Sequence, residues 1–221
     1  MRFFYVAFLF LLLSFSQILI AQNHRYTPGY AVTISGDTLT GNLFWRKNPG
    51  SQDSLYYQSS AGSPGKAMAW KEIRYASRSG KDEVYIHTLK VTLDYLDPHT
   101  FNIRMQDSSR IETMPLTPVF KGRVLALLVY SGYPDYYFLT DGSNTIQLVQ
   151  TYRYLTPREQ MFYITQVPKY MANFEYRLQM HTFYNFDSDP KMSDLLERTL
   201  FQENSLKTLI KKMDSKLISV Q

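Results

Sequence analysis

The run GYAVTISGDTLTGNLFW, from Gly29 to Trp45, leaves this chain few ways to begin its fold. Tyr30, Val32 and Ile34 alternate with Ala31, Thr33 and Ser35, which is the period of a half-buried strand. A second alternating run starts at Thr38, with Gly36-Asp37 between the two. Glycine in the first central position of a two-residue turn supplies the positive φ of a type II′ hairpin. That turn pairs Ile34 with Leu39, Val32 with Gly41 and Tyr30 with Leu43, so both apolar sets share one face. A slip of one residue would turn Leu39 and Leu43 into water, so the register is expected to be well specified. A hairpin of this kind organises a sheet and carries no chemistry.

The first twenty-one residues stand apart. Arg2 precedes an unbroken apolar run, Phe3 to Leu13, and Ser14, Ser16 and Gln17 interrupt it before Ala21-Gln22. This is the layout of a secretory signal peptide, residues 1–21, with cleavage expected before Gln22. The alternative is an uncleaved anchor, since Phe3 to Ile20 is long enough to span a bilayer. In that case the leader is the chain's membrane contact. The expected location is the periplasm or the outer cell surface.

The chain contains no cysteine, which excludes disulfides, a thiol nucleophile and a lipid-anchored N-terminal cysteine. A mature chain of this size can bury about 70% of its surface in one core. The formal charge of +5 falls to +4 when Arg2 is removed, and basic and acidic residues are interspersed. No stripe suited to nucleic acid stands out.

Short strands with turn signals between them continue to residue 150. Leu55 to Gln58, Ala67 to Trp70, Ile73 to Ala76 and Val84 to Tyr95 have strand character, and Phe101, Ile103 and Met105 start a further alternating run. Pro115 and Pro118 make Met114 to Lys121 irregular or an edge. Val124 to Tyr130 is continuously apolar, as in a strand buried on both faces. Tyr136 to Thr140 and Thr145 to Val149 form a hairpin around Asp141-Gly142. The fold class expected is α+β and β-rich: an antiparallel sandwich or open barrel over 22–150, followed by C-terminal helices. Residues 151–221 are expected to form a mixed, then helical, extension packed on that β domain. Thr156-Pro157-Arg158-Glu159 is a capping box. Asn173 to Thr182 fits strand and helix patterns equally. Asp189-Pro190 opens a helix with Met192, Leu195, Leu196, Thr199 and Leu200 on one stripe. Leu206, Leu209, Ile210, Met213 and Leu217 continue a second, which Ser205 could cap.

The opening motif, Gly29, Tyr30, Val32, Gly36, Asp37, Thr38, Leu39 and Gly41 behind a signal peptide, resembles that of a family of exported Bacteroidota proteins. The apolar strand and tyrosine-rich hairpin from Val124 to Val149 and the paired helices from Asp187 to Met213 are similar too. The resemblance implies an exported β domain with a helical tail, and a helix for Asn173 to Thr182. It implies no activity.

Chemistry-bearing patterns are sparse. Asp94, Asp97 and His99 could bracket a metal, but a strand end with an Asp-Pro turn accounts for them. His24, His87 and His181 are isolated, and Asp187-Ser188-Asp189 lacks the ligands of a calcium loop and suits a helix cap. No nucleophile elbow, P-loop or dinucleotide fingerprint occurs. No catalytic, metal or cofactor residue is therefore assigned, and no cofactor is expected. A binding module is favoured, with a glycan or another envelope protein as its partner. The alternatives are a docking subunit that uses its C-terminal helices, and a hydrolase whose site is scattered in sequence.

Two residue sets could carry binding or modification. The adjacent pairs Tyr56-Tyr57 and Tyr136-Tyr137 each put one ring on either face of a strand, the inner ring in the core and the outer one free to stack. Asp37-Thr38-Leu39 and Asp53-Ser54-Leu55 resemble the Asp-Ser/Thr-aliphatic triplet on which Bacteroidota O-glycosylate exported proteins, making Thr38 and Ser54 candidate acceptors, Ser54 the more accessible behind its polar loop. The alternative is that Thr38 simply opens a strand and Ser54 follows a loop. Lys207, Lys211, Lys212 and Lys216 form one face of the last helix; a solvated face is expected, contact with anionic lipid being the alternative.

Overall fold

The computed structural model describes residues 26–46, 53–79, 82–92, 109–131, 135–154, 170–173 and 175–220. The leader with its cleavage position, His24, the Asp94–Asp97–His99 group, the run from Phe101 to Met105 and the Thr156 capping box lie outside them.

The chain is α+β and β-rich, with a ten-stranded antiparallel open sheet, not a closed barrel, followed by C-terminal helices. In chain order the strands are β1 (Thr27–Thr33), β2 (Thr38–Phe44), β3 (Ser54–Gln58), β4 (Lys66–Ala69), β5 (Ile73–Arg78), β6 (Asp82–Thr92), β7 (Ser109–Lys121), β8 (Ala126–Tyr130), β9 (Tyr136–Thr140) and β10 (Thr145–Leu148). They pair in the order β10-β9-β8-β7-β6-β5-β1-β2-β3-β4. β11 (Thr151–Tyr154) and β12 (Tyr170–Asn173) form a separate antiparallel pair. The helices are α1 (Glu175–Met180), α2 (Pro190–Arg198) and α3 (Glu203–Val220). Contacts divide the chain into two compact units, residues 1–86 and 87–221, the boundary falling within β6.

In the first unit the opening hairpin forms with a different turn from the one its sequence suggests. Thr33 and Asp37 close a three-residue loop, with the Thr33 amide donating to the Asp37 carbonyl (2.9 Å) and the Gly36 amide to the Thr33 carbonyl (3.1 Å). Gly36 does adopt a positive φ, 95°, but as the third loop residue, the left-handed position that follows a type I turn. The register accordingly pairs Ala31 with Leu39 and Thr27 with Leu43. This three-residue shift reverses the face of β1 and leaves β2 unchanged. Ala31 and Leu43 are fully buried, whereas Tyr30 is 41% and Ile34 72% exposed.

The core of this unit gathers Ala31, Leu43, Trp45, Leu55, Met68, Trp70, Ile73, Ala76 and Val84, with Leu39, Tyr57 and Ile86 packed against it. Backbone approaches very closely beside it. A Cβ on Gly29 would lie 2.2 Å from the Ser77 carbonyl oxygen, and one on Gly41, its cross-strand partner, 2.2 Å from that of Gln58. Two glycines of the opening motif thus make room for β5 and β3. Trp70 does not extend β4; it begins a 3-10 turn, Trp70–Glu72, that leads into β5. The Arg78 guanidinium lies 4.2 Å from the Trp45 ring centre and donates to the Trp45 carbonyl (2.7 Å), holding the end of the hairpin against β5.

In the second unit, α1–α3 pack on one face of the sheet. Leu125, Leu127, Val129, Tyr137, Leu139 and Leu148 meet Tyr176, Met180, Met192, Leu196 and the fully buried α3 stripe Leu206, Leu209, Ile210 and Met213. β8 is buried on both faces as its apolar run requires, since Leu128, pointing the other way, is 2% exposed. β7 is irregular at its prolines, as expected, but is not an edge: it is a thirteen-residue strand with neighbours on both sides. Its pairing with β8 shifts register between Pro118 and Phe120, so an irregularity accommodates the proline inside the sheet.

Residues 173–182 contain the helix α1, but it buries Tyr176 and Met180, four residues apart, and leaves Leu178 76% exposed. Asp189 caps α2, its Oδ1 accepting from the Met192 amide (3.2 Å). Ser205 lies within the first turn of α3, where its hydroxyl accepts from the Leu200 amide (3.0 Å).

Candidate functional site

Because Ala31, Leu43, Leu55, Ala76 and Val84 point into the first unit's core, strand alternation sends their neighbours to the opposite face. Those neighbours are Tyr30 on β1, Phe44 on β2, Tyr56 on β3, Tyr75 on β5 and Tyr85 on β6. Five adjacent strands therefore each present one ring outward.

The rings form two clusters. Tyr85 and Tyr75 meet edge-on with centroids 5.0 Å apart, and Tyr75 lies 5.7 Å from Tyr30. Phe44 sits 6.0 Å from both Tyr56 and Tyr26. These spacings are those of favourable aromatic pairs. Tyr30 and Tyr56 are the most open members, at 41% and 38% exposure. Thr38, Thr40 and Asn42 share the outward side of β2; Thr40 is directly opposite Tyr30, and Asn42 opposite Gln58 of β3. Tyr85 donates its hydroxyl to Glu83 (3.0 Å). Burial, followed by the neighbouring Tyr30 hydroxyl and Glu83, pushes the Tyr75 phenol up to about 12 despite an opposing Ser77 bond. The face thus combines apolar ring surface with hydroxyl and amide groups and the Glu83 carboxylate.

Of the four tyrosines singled out by sequence, Tyr56 is the one this face includes. Tyr57 turns inward against the core cluster and donates its hydroxyl to the Thr40 carbonyl (3.2 Å). Tyr137 is buried among the helices, edge-on to Phe201 at 5.6 Å. Tyr136 is half-buried in the second unit, paired across the strands with Tyr130 at 6.2 Å. Each adjacent pair does divide between faces, but the two outward rings belong to different units. Tyr30, Phe44, Tyr75 and Tyr85 do not stand out as adjacent tyrosine pairs in the sequence. The signal that locates them is the alternation of β5 and β6, combined with the correct hairpin register.

The two modification candidates lie at the starts of neighbouring strands. Thr38 is exposed, opposite Val32, while Ser54 is half-buried and paired with Ala69. Access therefore favours Thr38, the reverse of what the polar loop before Ser54 suggests. Of the isolated histidines, His87 is partly buried, and desolvation lowers its pKa. His181 packs at a tilt against Phe186 with centroids 5.0 Å apart. Among the described residues no group of three or more His, Asp or Glu could hold a metal ion.

No family model, no curated protein and no solved structure matches this chain.

Proposed function

We propose that this is an exported protein of the cell envelope, of the Bacteroidota type its opening motif resembles, that binds a glycan without chemically altering it. The observation that carries the reading is the outward face of Tyr30, Tyr75, Tyr85, Phe44 and Tyr56. A sugar presents an apolar ring face and a rim of hydroxyls. Exposed aromatic rings beside Thr40 and Asn42 answer both. An aliphatic peptide segment would be served less well, because the rings are interleaved with polar side chains. The helical tail offers less support for a docking role: its apolar stripe, Leu206 to Met213, is consumed by its own sheet.

Affinity electrophoresis through gels containing a panel of envelope polysaccharides tests this. At least one polysaccharide should retard the mature protein. Tyr30→Ala and Tyr56→Ala should each weaken that retardation about tenfold, roughly 1.4 kcal/mol. Tyr136→Ala should leave it unchanged. Equal retardation of all three variants, or none of the wild type on any polysaccharide, would overturn the proposal.

A further inference from the structure

The outer side of α3 carries a second feature, in a different unit from the aromatic face. With Leu206, Leu209, Ile210 and Met213 turned into the core, the helix exposes Asn204, Lys207, Thr208, Lys211, Lys212, Ser215 and Lys216. These residues and Met192 of α2 line an open groove of about 860 Å³. That volume falls within the range of small-molecule sites, roughly 300–1,000 Å³.

Its charge is one-sided. Lys216 is tied to Asp189 (3.0 Å), which also accepts from the Tyr184 hydroxyl (3.0 Å) while capping α2. This link raises the lysine's pKa and lowers the carboxyl's, and it fixes one wall of the groove. Among the described residues Lys207, Lys211 and Lys212 have no acidic partner. Lys207 and Lys211, and likewise Lys212 and Lys216, are spaced i,i+4, where like charges repel. Lys207 and Lys211, one turn apart on the same side of α3, present two ammonium groups that no described acid neutralises.

The hydroxyls narrow the ligand further. Thr208 already donates to the Asn204 carbonyl (2.8 Å), and Ser215 to that of Lys211 (2.9 Å). Their remaining capacity is to accept. The groove therefore offers ammonium donors for an anion and hydroxyl acceptors for groups that donate.

We propose that this groove binds a sugar phosphate, free or as the head of a lipid. A phosphomonoester brings close to two negative charges and three acceptor oxygens to Lys207 and Lys211. The sugar hydroxyls donate to Thr208, which lies between the two lysines along the helix, and the sugar ring lies over the lysine stems.

The test is calorimetric titration of the mature protein with glucose 6-phosphate, inorganic phosphate and glucose. Parallel co-sedimentation uses phosphatidylcholine vesicles containing either phosphatidylinositol 4-phosphate or phosphatidylserine at matched total charge. Glucose 6-phosphate should bind saturably, at least tenfold more tightly than phosphate, with no heat from glucose. The Lys207→Gln/Lys211→Gln variant should lose at least tenfold while its thermal midpoint stays level or rises, because a repulsive pair is removed. Lys191→Gln, outside the groove, should bind as wild type. Preferential sedimentation with the phosphoinositide, lost in the same double variant, would support the lipid-borne source; binding of the free compound alone would support the soluble one. Equal sedimentation on phosphatidylserine would overturn the sugar requirement and leave a charge-driven membrane contact. Binding of glucose 6-phosphate that the double variant does not weaken, or no binding to any probe, would overturn the site.

Discussion

Replacing Asp214 should unfasten α3 from the β7–β8 hairpin. Its carboxylate is 5% exposed and accepts from three consecutive backbone amides: Arg123 at 3.1 Å, Val124 at 2.7 Å and Leu125 at 2.8 Å. Gly122 completes the fit, since a Cβ there would lie 2.3 Å from the carboxylate. In Asp214→Ala the Arg123 amide, on an exposed residue, regains water at little cost, and that of half-buried Val124 does so in part. The Leu125 amide is buried and stranded, so the sum comes to about 3 kcal/mol. Asp214→Asn keeps one acceptor for Val124 and Leu125 and should cost only about 1 kcal/mol.

Urea unfolding can read this unit separately. All described α-helices lie in the second unit and both tryptophans, Trp45 and Trp70, in the first. Circular dichroism at the helix band should show a midpoint lowered by about 1.5 M in Asp214→Ala, taking a slope near 2 kcal/mol/M. Gly122→Ala should destabilise less in the Asp214→Ala background than in the wild type, because the clash is with the carboxylate itself. Acid gives an independent check. Burial raises the Asp214 pKa, but the three amide bonds outweigh it and the net shift is downward. Its contribution is thus fully present above the unfolded value of about 3.9 and is lost as pH falls through the lower folded value. If alanine and asparagine shift the midpoint equally, or neither does, the carboxylate does not hold the hairpin.

Four further outcomes are expected. Gly36→Val should cost on the order of 1–3 kcal/mol through its positive φ alone, since nothing lies within 4 Å of a Cβ there, while Ser35→Ala should cost much less on thermal melting. Gly29→Ala should exceed Gly36→Ala, because its methyl meets β5 backbone and not open space. Mass spectrometry of protein from the native host should give an N-terminus at Gln22, an intact Met1 refuting cleavage. The same spectra should carry an added mass that Thr38→Ala removes and Ser54→Ala does not; a bare polypeptide mass would refute modification at either.

The strand content was largely legible, because β3, β5, β6 and β8–β10 each combine alternation or an apolar run with turn residues at their ends. β7 was legible as irregular at its prolines but not as an interior strand, because two prolines argue locally against one and only the neighbouring β8 shows how one is absorbed. α1 was legible as a helix through the resemblance, yet not by face. The helical stripe through Phe174 and Leu178 looks the more apolar, but the sheet and Phe201 select Tyr176, whose hydroxyl reaches the Thr199 carbonyl (2.5 Å).

The candidate site was missed for a physical reason of the same kind. Hydrophobic weight assigns Tyr30, Val32 and Ile34 to the core and Ala31 to the surface. Inside the unit, however, Ala31 faces Ala76 on one side and Leu39 on the other, and Gly29 faces Gly41 one step along the strand. Backbone oxygens of β3 and β5 already occupy the space where side chains at Gly29 and Gly41 would be. On β1 an inner face crowded by neighbouring backbone accepts glycine and alanine and excludes tyrosine, so Tyr30 lies on the other side. The residues that sort the two faces of β1 are therefore its smallest. Glycine and alanine spaced two apart, opposite a further glycine, mark the crowded side of β1, and the aromatic position between them, Tyr30, marks its outward, ring-bearing side.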